Sequence, residues 1–260
     1  MRLNGTVFSK VLGMDTDITV VTPNSVKAGK KYKVVYLLHG LCGNSRTWID
    51  YSMLPVYASS GNTIYIMPEA ARSFYTDMKY GARYFSYVTE ELPEICKSFF
   101  NITSERENTA IMGGSMGGYG ALKCALTMPE RYGVCAAFSS GCLFMKEGFN
   151  EMREKGSDSE LIENFGEQLM YDFKAIAGEN YELRPENDIL KLVDKAAKGE
   201  YMPQFYLTCG TEDCFYNDHI NFCRELKKRN IKYEFETWKA RHNFIYFNDA
   251  LKRAIDKFEL

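Results

Sequence analysis

The sequence predicts an α/β fold in which helices cover both faces of a mostly parallel sheet of the eight-stranded type. Short runs that are apolar on both faces recur along the chain, as expected for strands buried in a parallel sheet. Helical patterns lie between these runs, and the alternation favours right-handed crossovers. The 260 residues, 45% of them hydrophobic and 25% charged, suit one such unit, so residues 1–260 are interpreted as a single domain.

Eight segments have the composition of β-strands. The first two, at 6–10 and 17–22, are separated by turn residues and predict an antiparallel hairpin. The other six are apolar or aromatic runs that predict the body of the sheet. They lie at 33–38, 63–67, 109–112, 134–138, 204–209 and 232–238.

Helices are predicted between the strands from apolar periodicity. Apolar residues recur at i, i+3, i+4 and i+7 in the segment 92–99, and with nearly the same period in the segment 247–258. The segment 116–128 is rich in alanine and leucine and is ended by Pro129. A further helix is predicted at about 216–229.

One connection is much longer than a crossover requires. Residues 141–200 precede the penultimate predicted strand and contain 8 Lys and Arg against 14 Asp and Glu, which gives a net charge of 8 − 14 = −6. Two compatible interpretations are open. The segment is a solvated helical insertion, or it is a cap over the mouth of an active site, which would disfavour strongly anionic substrates.

The charge balance and the cysteine pattern exclude several classes of function. The 32 Lys and Arg against 34 Asp and Glu give a net charge of −2, which does not suit nucleic acid as the main partner. No apolar run reaches the roughly 18–20 residues that span a bilayer. The eight cysteines are scattered and the histidines number three, so neither a disulfide framework nor a zinc site is predicted. With no apolar stretch after Met1, a reduced, cytoplasmic protein is expected.

The sequence Gly-Gly-Ser-Met-Gly-Gly at 113–118 is the centre of the functional prediction. Its Gly-x-Ser-x-Gly pattern is weak alone, but it directly follows a predicted strand and opens a predicted helix. In so tight a turn, glycines two residues before and two after the serine leave room for the neighbouring backbone. The turn raises the hydroxyl of Ser115 above the sheet, and Ser115 is the predicted nucleophile.

A serine nucleophile needs a base, and three histidines are available. His39 ends a strand just before Gly40 and is expected to hold a loop. His219 lies early in a helix, where a partly exposed cap or surface role is expected. His242 lies between the last strand and the last helix, where the α/β-hydrolase order of serine, acid and histidine places the base. His242 is therefore the predicted base.

The acid of this order is expected at the tip of the penultimate strand. Asp213 ends the segment 209–213 there, and its carboxylate would fix the tautomer of His242 and stabilise the imidazolium. Glu212 and Asp218 are the rivals. Glu212 is expected to face solvent, and Asp218 fits a charge in the first turn of the following helix.

Two backbone N–H groups are predicted to stabilise a developing oxyanion. One belongs to Met116, directly after the nucleophile, and the other to Leu41, in the loop 39–44 that follows a predicted strand. Each such donor contributes about 3 kcal/mol of transition-state stabilisation in serine hydrolases.

Six segments carry a family resemblance: Leu37–Gly40, Gly43–Asn44 with Trp48, Ser73–Met78, Glu91–Pro93, Gly114–Gly118 and Cys209–Asp213. Together they resemble the esterase D branch of the α/β-hydrolase superfamily, which includes tributyrin and cinnamoyl or feruloyl esterases, S-formylglutathione hydrolases and mycolyltransferases. The likeness runs from about residue 3 to residue 258. In that family the matching positions are the nucleophile (Ser115), the acid (Asp213), the base (His242) and the oxyanion donors (Leu41, Met116).

The resemblance implies a serine carboxylesterase for short-chain acyl or aryl esters, with acetyl or feruloyl esters of carbohydrates as candidates and with no metal or organic cofactor. The implied partners are a small-molecule ester and, because relatives often form dimers, a second copy of the chain. Two alternatives stay open. A thioesterase like S-formylglutathione hydrolase, or an acyltransferase, would keep the triad, and a non-catalytic binding module would keep only the fold.

Overall fold

The computed structural model describes residues 1–25, 29, 31–155, 162–163 and 165–260, and its strands form one eight-stranded sheet. The strands are β1 (Arg2–Ser9), β2 (Met14–Val21), β3 (Lys33–Leu38), β4 (Thr63–Pro68), β5 (Thr109–Gly114), β6 (Val134–Phe138), β7 (Gln204–Gly210) and β8 (Tyr233–Trp238). Their order is β1-β2-β4-β3-β5-β6-β7-β8. Strand β2 is antiparallel to β1 and to β4, and all other neighbours are parallel. The predicted hairpin and the six predicted sheet strands are confirmed.

Helices connect the strands within the described ranges. They are α1 (Thr47–Tyr51), α2 (Leu54–Tyr57), α3 (Tyr84–Ser86), α4 (Leu92–Phe99), α5 (Met116–Thr127), α6 (Met145–Lys155), α7 (Gln168–Ala177), α8 (Ile189–Ala196), α9 (Tyr216–Lys228) and α10 (Phe244–Phe258). A π-helical turn, Tyr87–Glu91, joins α3 to α4, and short 3₁₀ turns cover Arg106–Asn108 and Pro185–Asn187. The four predicted helices therefore correspond to α4, α5, α9 and α10.

The sheet separates two apolar layers because the side chains of each strand alternate between its faces. In β3, Val34 and Tyr36 belong to the layer beneath α4, α5, α8 and α9, whereas Val35 and Leu37 belong to the layer beneath α1, α2 and α10. All four side chains are buried. The apolar runs that predicted the strands therefore reflect burial on both faces, as in other parallel sheets.

The long predicted insertion, residues 141–200, contains α6, α7 and α8, while 156–161 and 164 lie outside the described residues. Helix α8 packs against α5 through buried apolar side chains that include Ile189, Leu192 and Val193. Its N-cap is Asp188, whose carboxylate accepts hydrogen bonds from the backbone N–H groups of Leu190 and Lys191. This end of the insertion is thus fixed to the body of the fold.

The carboxyl ends of β3, β5, β6, β7 and β8 meet at one edge of the sheet, because all five strands are parallel. Ligand and active sites of open α/β sheets lie at this edge. The segments that follow these strands carry Leu41, Ser115, Ser139, Asp213 and His242. The topology therefore brings residues that are distant in the chain to one place.

Replacing Gly117 with alanine is expected to lower the free energy of unfolding by about 2–3 kcal/mol. A Cβ atom on Gly117 would lie 2.3 Å from the carbonyl oxygen of Leu38 and 2.7 Å from that of His39, so backbone must shift. Thermal or urea unfolding measures the effect.

Gly148→Ala is the matched control, since Gly148 is also in a helix but a Cβ there would meet no atom within 4 Å. Helix propensity should make this variant more stable by roughly 0.5–1 kcal/mol. Equal stability changes in the two variants would contradict the steric account.

Candidate active site

Ser115 occupies the turn between β5 and α5 with φ of 55° and ψ of −121°. A positive φ is uncommon for a residue with a side chain, and it costs conformational energy that the surrounding structure must offset. The glycines on either side make the turn possible. A Cβ on Gly113 would lie 2.3 Å from the carbonyl oxygen of Gly117, and one on Gly117 would collide with the end of β3. The glycine pattern in the sequence therefore has the steric cause that was predicted.

Three predicted side chains form one hydrogen-bonded chain. Nε2 of His242 lies 3.0 Å from Oγ of Ser115, and Nδ1 of His242 lies 2.8 Å from Oδ2 of Asp213. The Asp213 side chain is fully buried, whereas that of His242 is 22% exposed. When Nδ1 carries the ring proton and donates a hydrogen bond to the carboxylate, Nε2 is unprotonated and can accept the hydroxyl proton of Ser115. The structure thus brings together Ser115, His242 and Asp213.

Asp213 is held as an anion in spite of its burial. Burial raises the pKa of this carboxyl, but the hydrogen bond and charge of His242, together with hydrogen bonds from Ser139 and from the backbone N–H of Phe215, outweigh it and hold the pKa below its ordinary value. The N–H of Phe215 donates to Oδ1 over 2.9 Å, and Oδ2 faces His242. The two carboxylate oxygens are therefore both engaged, which fixes the orientation of the group.

Ser139 is a site residue that the sequence analysis missed. It follows β6, has a φ of 41° and is fully buried. Its hydroxyl donates to Oδ2 of Asp213 over 2.5 Å. The hydroxyl oxygen of Ser139 also lies 3.1 Å from Nδ1 of His242. Its position directly after a central parallel strand could have indicated it, because Ser115, Asp213 and His242 likewise follow β5, β7 and β8.

The other two histidines have structural surroundings. Nε2 of His39 accepts a hydrogen bond from the N–H of Ala70 over 3.1 Å, and Nδ1 lies 2.8 Å from the carbonyl oxygen of Gly40. His39 thus holds the loop after β3, as predicted. For His219 the prediction of a partly exposed residue was wrong, because it is fully buried and accepts a hydrogen bond from the N–H of Ser140 over 2.7 Å.

The rival carboxylates lie elsewhere. Glu212 is exposed and forms ion pairs with Arg241 at 3.3 Å and with Lys239 at 3.6 Å, so it faces solvent as expected. Asp218 is in the first turn of α9, as predicted, and lines a neighbouring cavity rather than bonding to His242. Of the three acids weighed, Asp213 is the one that bonds to the imidazole.

The loop after β3 lies directly against Ser115. A Cβ on Gly40 would lie 3.4 Å from Cβ of Ser115. Because Leu41 is the next residue in the chain, its backbone also lies near Ser115. Met116 is the first residue of α5, where a helix leaves its backbone N–H without an intrahelical acceptor. Across the described ranges, neither the N–H of Leu41 nor that of Met116 donates a hydrogen bond to another protein group.

Ser115 opens into a cavity of about 290 Å³, which we call the serine cavity. Its walls are mainly apolar, and Trp48 is held there by a hydrogen bond from its indole N–H to the carbonyl oxygen of Leu38. Its lining residues are Gly40, Leu41, Cys42, Gly43, Thr47, Trp48, Tyr51, Gly114, Ser115, Phe165, His242, Asn243, Phe244 and Phe247. A small apolar group fits beside the hydroxyl of Ser115.

Comparison with known proteins identifies the family of the chain. Residues 9–258 match the family model for putative esterases. The chain belongs to the putative esterase family. The predicted family resemblance and the predicted α/β-hydrolase type of fold are thereby confirmed.

Three relatives of this esterase extend the comparison over nearly the whole chain. It is 28% identical to the acetyl esterase of Caldicellulosiruptor saccharolyticus over 98% of this chain and 96% of that protein. The substrate-bound structure of fluorophosphonate-binding serine hydrolase F from Staphylococcus aureus has a TM-score of 0.85 at 28% identity and covers 99% of this chain and 98% of its own. An S-formylglutathione hydrolase from the same organism has a TM-score of 0.82 at 28% identity, with coverage of 99% and 98%.

Among the described residues, no group of three or more His, Cys, Asp or Glu side chains is placed to hold a metal ion. In the same part of the chain, no helix is both long and apolar enough to cross a bilayer.

Ser139→Ala is expected to lower kcat about tenfold while KM changes little, because the hydroxyl orients Asp213 and His242 without touching substrate. Steady-state hydrolysis of a p-nitrophenyl ester measures both constants. Ser140→Ala is the control, because the Ser140 hydroxyl is also buried but bonds to no protein group in the described ranges. If both variants keep the parent kcat, Ser139 does not orient the carboxylate.

His219 is expected to make the folded protein less stable in acid. Burial lowers the pKa of His219 to about 4, partly opposed by the charge of Asp213, whereas the unfolded chain has a value near 6.5. Between these values the unfolded state binds a proton that the folded state excludes, so stability falls as the pH falls from about 7 to about 4. The loss is on the order of 3 kcal/mol.

His219→Gln keeps an oxygen that can accept from the Ser140 N–H but removes the titration. Urea unfolding at pH 7.5 and pH 4.5 should show a smaller acid-induced loss for this variant than for the parent. Parallel losses in the two proteins would mean that His219 is not buried in its neutral form.

Proposed function

We propose that this chain is a serine carboxylesterase that hydrolyses short-chain acyl or aryl esters through Ser115, His242 and Asp213. The observation that carries the proposal is the continuous hydrogen-bonded chain from Oγ of Ser115 to the buried carboxylate of Asp213, at the wall of the serine cavity. Membership of the esterase family supports it. The likeness to an acetyl esterase over nearly the full length supports the short acyl chain.

Acylation begins with proton transfer from Oγ of Ser115 to Nε2 of His242, 3.0 Å away, as Oγ attacks the ester carbonyl. The imidazolium that forms keeps its Nδ1–H bonded to Asp213, whose ionised carboxylate stabilises the positive charge. His242 then gives its new proton to the oxygen of the leaving alcohol. The products of this half-reaction are the free alcohol and an acyl ester of Ser115.

The backbone N–H groups of Leu41 and Met116 stabilise the oxyanion in this proposal. Leu41 follows the close approach of Gly40 to Ser115, and Met116 lies at the positive end of α5. Both donors are without a protein acceptor in the described part of the chain and need no rearrangement to receive the oxyanion. In deacylation, water replaces the alcohol, and His242 acts again as base and then as acid.

The serine cavity favours small or flat acyl groups. Trp48, Tyr51, Phe244 and Phe247 form its apolar wall within a volume of about 290 Å³. Acetyl and butyryl groups fill part of this space, and an aryl acyl group of the feruloyl kind stacks on such aromatic walls. Acetyl or feruloyl esters of carbohydrates are accordingly the proposed substrate classes.

Residues 141–200 are proposed to cap this site within one domain of residues 1–260. Phe165 lines the serine cavity, and Asp172 of α7 forms a 2.7 Å ion pair with Arg72. Arg72 also donates a hydrogen bond to the sulfur of Cys42 in the loop after β3. The insertion is thus tied to the loop that carries Leu41. A homodimer and a cytoplasmic location stay predictions.

A thioester substrate is the second candidate. The likeness to a staphylococcal S-formylglutathione hydrolase, at 28% identity, supports it. The triad would perform the same two half-reactions with a thiolate as leaving group, which needs less assistance from His242. Hydrolysis of oxygen esters and thioesters with the same acyl group would separate the two candidates.

Ser115→Ala and Asp213→Asn are each expected to lower kcat on p-nitrophenyl acetate by about 10⁴-fold, because one removes the nucleophile and the other the orienting anion. Glu212→Gln is the matched control for the carboxylate, since Glu212 is the exposed neighbour of Asp213, and its activity should stay within twofold of the parent. Full activity in Ser115→Ala would overturn the proposed mechanism.

A further inference from the structure

A second cavity lies beside the serine cavity and shares one wall with it. Phe165 lines both cavities, and its ring stacks on that of Phe215 with a centroid distance of 5.9 Å and an interplanar angle of 12°. The second cavity has a volume of about 350 Å³. We call it the acidic cavity, because its lining includes Glu147, Glu151 and Asp218.

The acidic cavity is also strongly aromatic. Five phenylalanines line it: Phe144, Phe149, Phe165, Phe173 and Phe215. Phe149 and Phe173 are almost fully buried and pack edge to face at 5.1 Å, so this part of the wall is rigid. The face of an aromatic ring attracts cations, and sets of such rings are used to bind quaternary ammonium groups.

The carboxylates of this cavity are short of cationic partners. Glu151 pairs with Lys155 at 3.1 Å, but Glu147 and Asp218 have no ion pair within the described ranges. Asp218 is half-buried, and burial raises the pKa of its carboxyl with no cation to oppose the shift.

Two cationic side chains lie along the adjoining groove, which Glu147 and Asp218 also line. Lys228 pairs with Glu225 at 2.5 Å, whereas Arg224 donates to the neutral side chain of Asn221 over 2.9 Å and keeps its charge. Neither cation forms an ion pair with Glu147 or Asp218 in the described ranges. The acidic cavity therefore combines aromatic faces with two carboxylates that no direct ion pair neutralises. An organic cation satisfies both features at once.

The position of the acidic cavity relates it to the leaving group. An ester that reacts at Ser115 must place its leaving oxygen next to His242, because His242 protonates that oxygen. Phe215 is on that side, with its ring 5.3 Å from the imidazole, and Phe215 also lines the acidic cavity. The alcohol part of the substrate therefore extends toward Phe215 and Phe165, and the acyl part stays against the aromatic wall of Trp48.

We propose that the acidic cavity is a subsite for a positively charged leaving alcohol, so that the preferred substrates are short-chain esters of amino alcohols that carry an ammonium group. This inference rests on the proposed esterase function and ranks positively charged alcohols above the neutral carbohydrate alcohols proposed there. The rings of Phe165 and Phe215 border the path to the subsite, and Glu147 and Asp218 attract the charge. Negatively charged alcohols and thiols are disfavoured by the same carboxylates.

The test compares two acetate esters of nearly equal shape and different charge. Acetylcholine carries a trimethylammonium group, and 3,3-dimethylbutyl acetate replaces its nitrogen with carbon. For the parent enzyme, kcat/KM for acetylcholine should exceed that for the neutral ester about tenfold. Asp218→Asn and Glu147→Gln should each reduce this ratio about threefold or more, and the double variant should bring it close to one.

Glu154→Gln is the matched control, because Glu154 is an exposed residue of α6 outside the lining of the cavity, and it should leave the ratio unchanged. A variant that folds poorly lowers both rates together and leaves the ratio intact, so the ratio reports charge recognition alone. A parent ratio near one, or a ratio in Asp218→Asn equal to that of the parent, would overturn the subsite.

Hydrolysis of p-nitrophenyl acetate by the parent enzyme separates this outcome from failure of the esterase proposal. If that neutral ester is cleaved and the ratio is one, the enzyme is an esterase without a cation subsite. If p-nitrophenyl acetate is not cleaved, the proposed function itself fails.

Discussion

The site depends first on the positive φ of Ser115 at the turn between β5 and α5. Its φ of 55° costs conformational energy that the surrounding structure must offset. Gly113, Gly117 and the end of β3 approach one another so closely that a Cβ on either glycine would collide with backbone. The same crowding brings the loop after β3 against the serine and places the N-terminus of α5 beneath it. The geometry of Ser115 and that of the proposed oxyanion donors therefore have one common steric origin.

A second constraint is the buried negative charge of Asp213. Removing a carboxylate from water is costly unless hydrogen bonds and a cationic partner compensate it. Here His242, Ser139 and the N–H of Phe215 supply them, and they hold the pKa of the carboxyl below its usual value. Ser139 and Phe215, as well as the imidazole, therefore compensate the cost of burying this charge. Ser139 thus extends the hydrogen-bonded chain of Ser115, His242 and Asp213 by a fourth residue.

Most of the fold could be predicted because strands of a parallel sheet are buried on both faces and read as apolar runs. The run 33–38 coincides with β3. Ser115, Asp213 and His242 were predicted from the Gly-x-Ser-x-Gly motif, from the order of serine, acid and histidine along the chain, and from their positions after strands. His219 was assigned to the surface because a single sequence does not show that Ser140 and Phe235 enclose it. Ser139 was missed for the same reason, since its partner carboxylate is 74 residues away in the chain.

The most direct measurement of the central claim is mass spectrometry of the folded protein after reaction with a fluorophosphonate. One adduct is expected, on the peptide that contains Ser115. It should form rapidly in buffer and be absent when the protein is unfolded in urea before exposure to the reagent. Such selectivity requires a hydroxyl activated by His242 and Asp213. No adduct on the folded protein, or an adduct at another residue in place of Ser115, would contradict it.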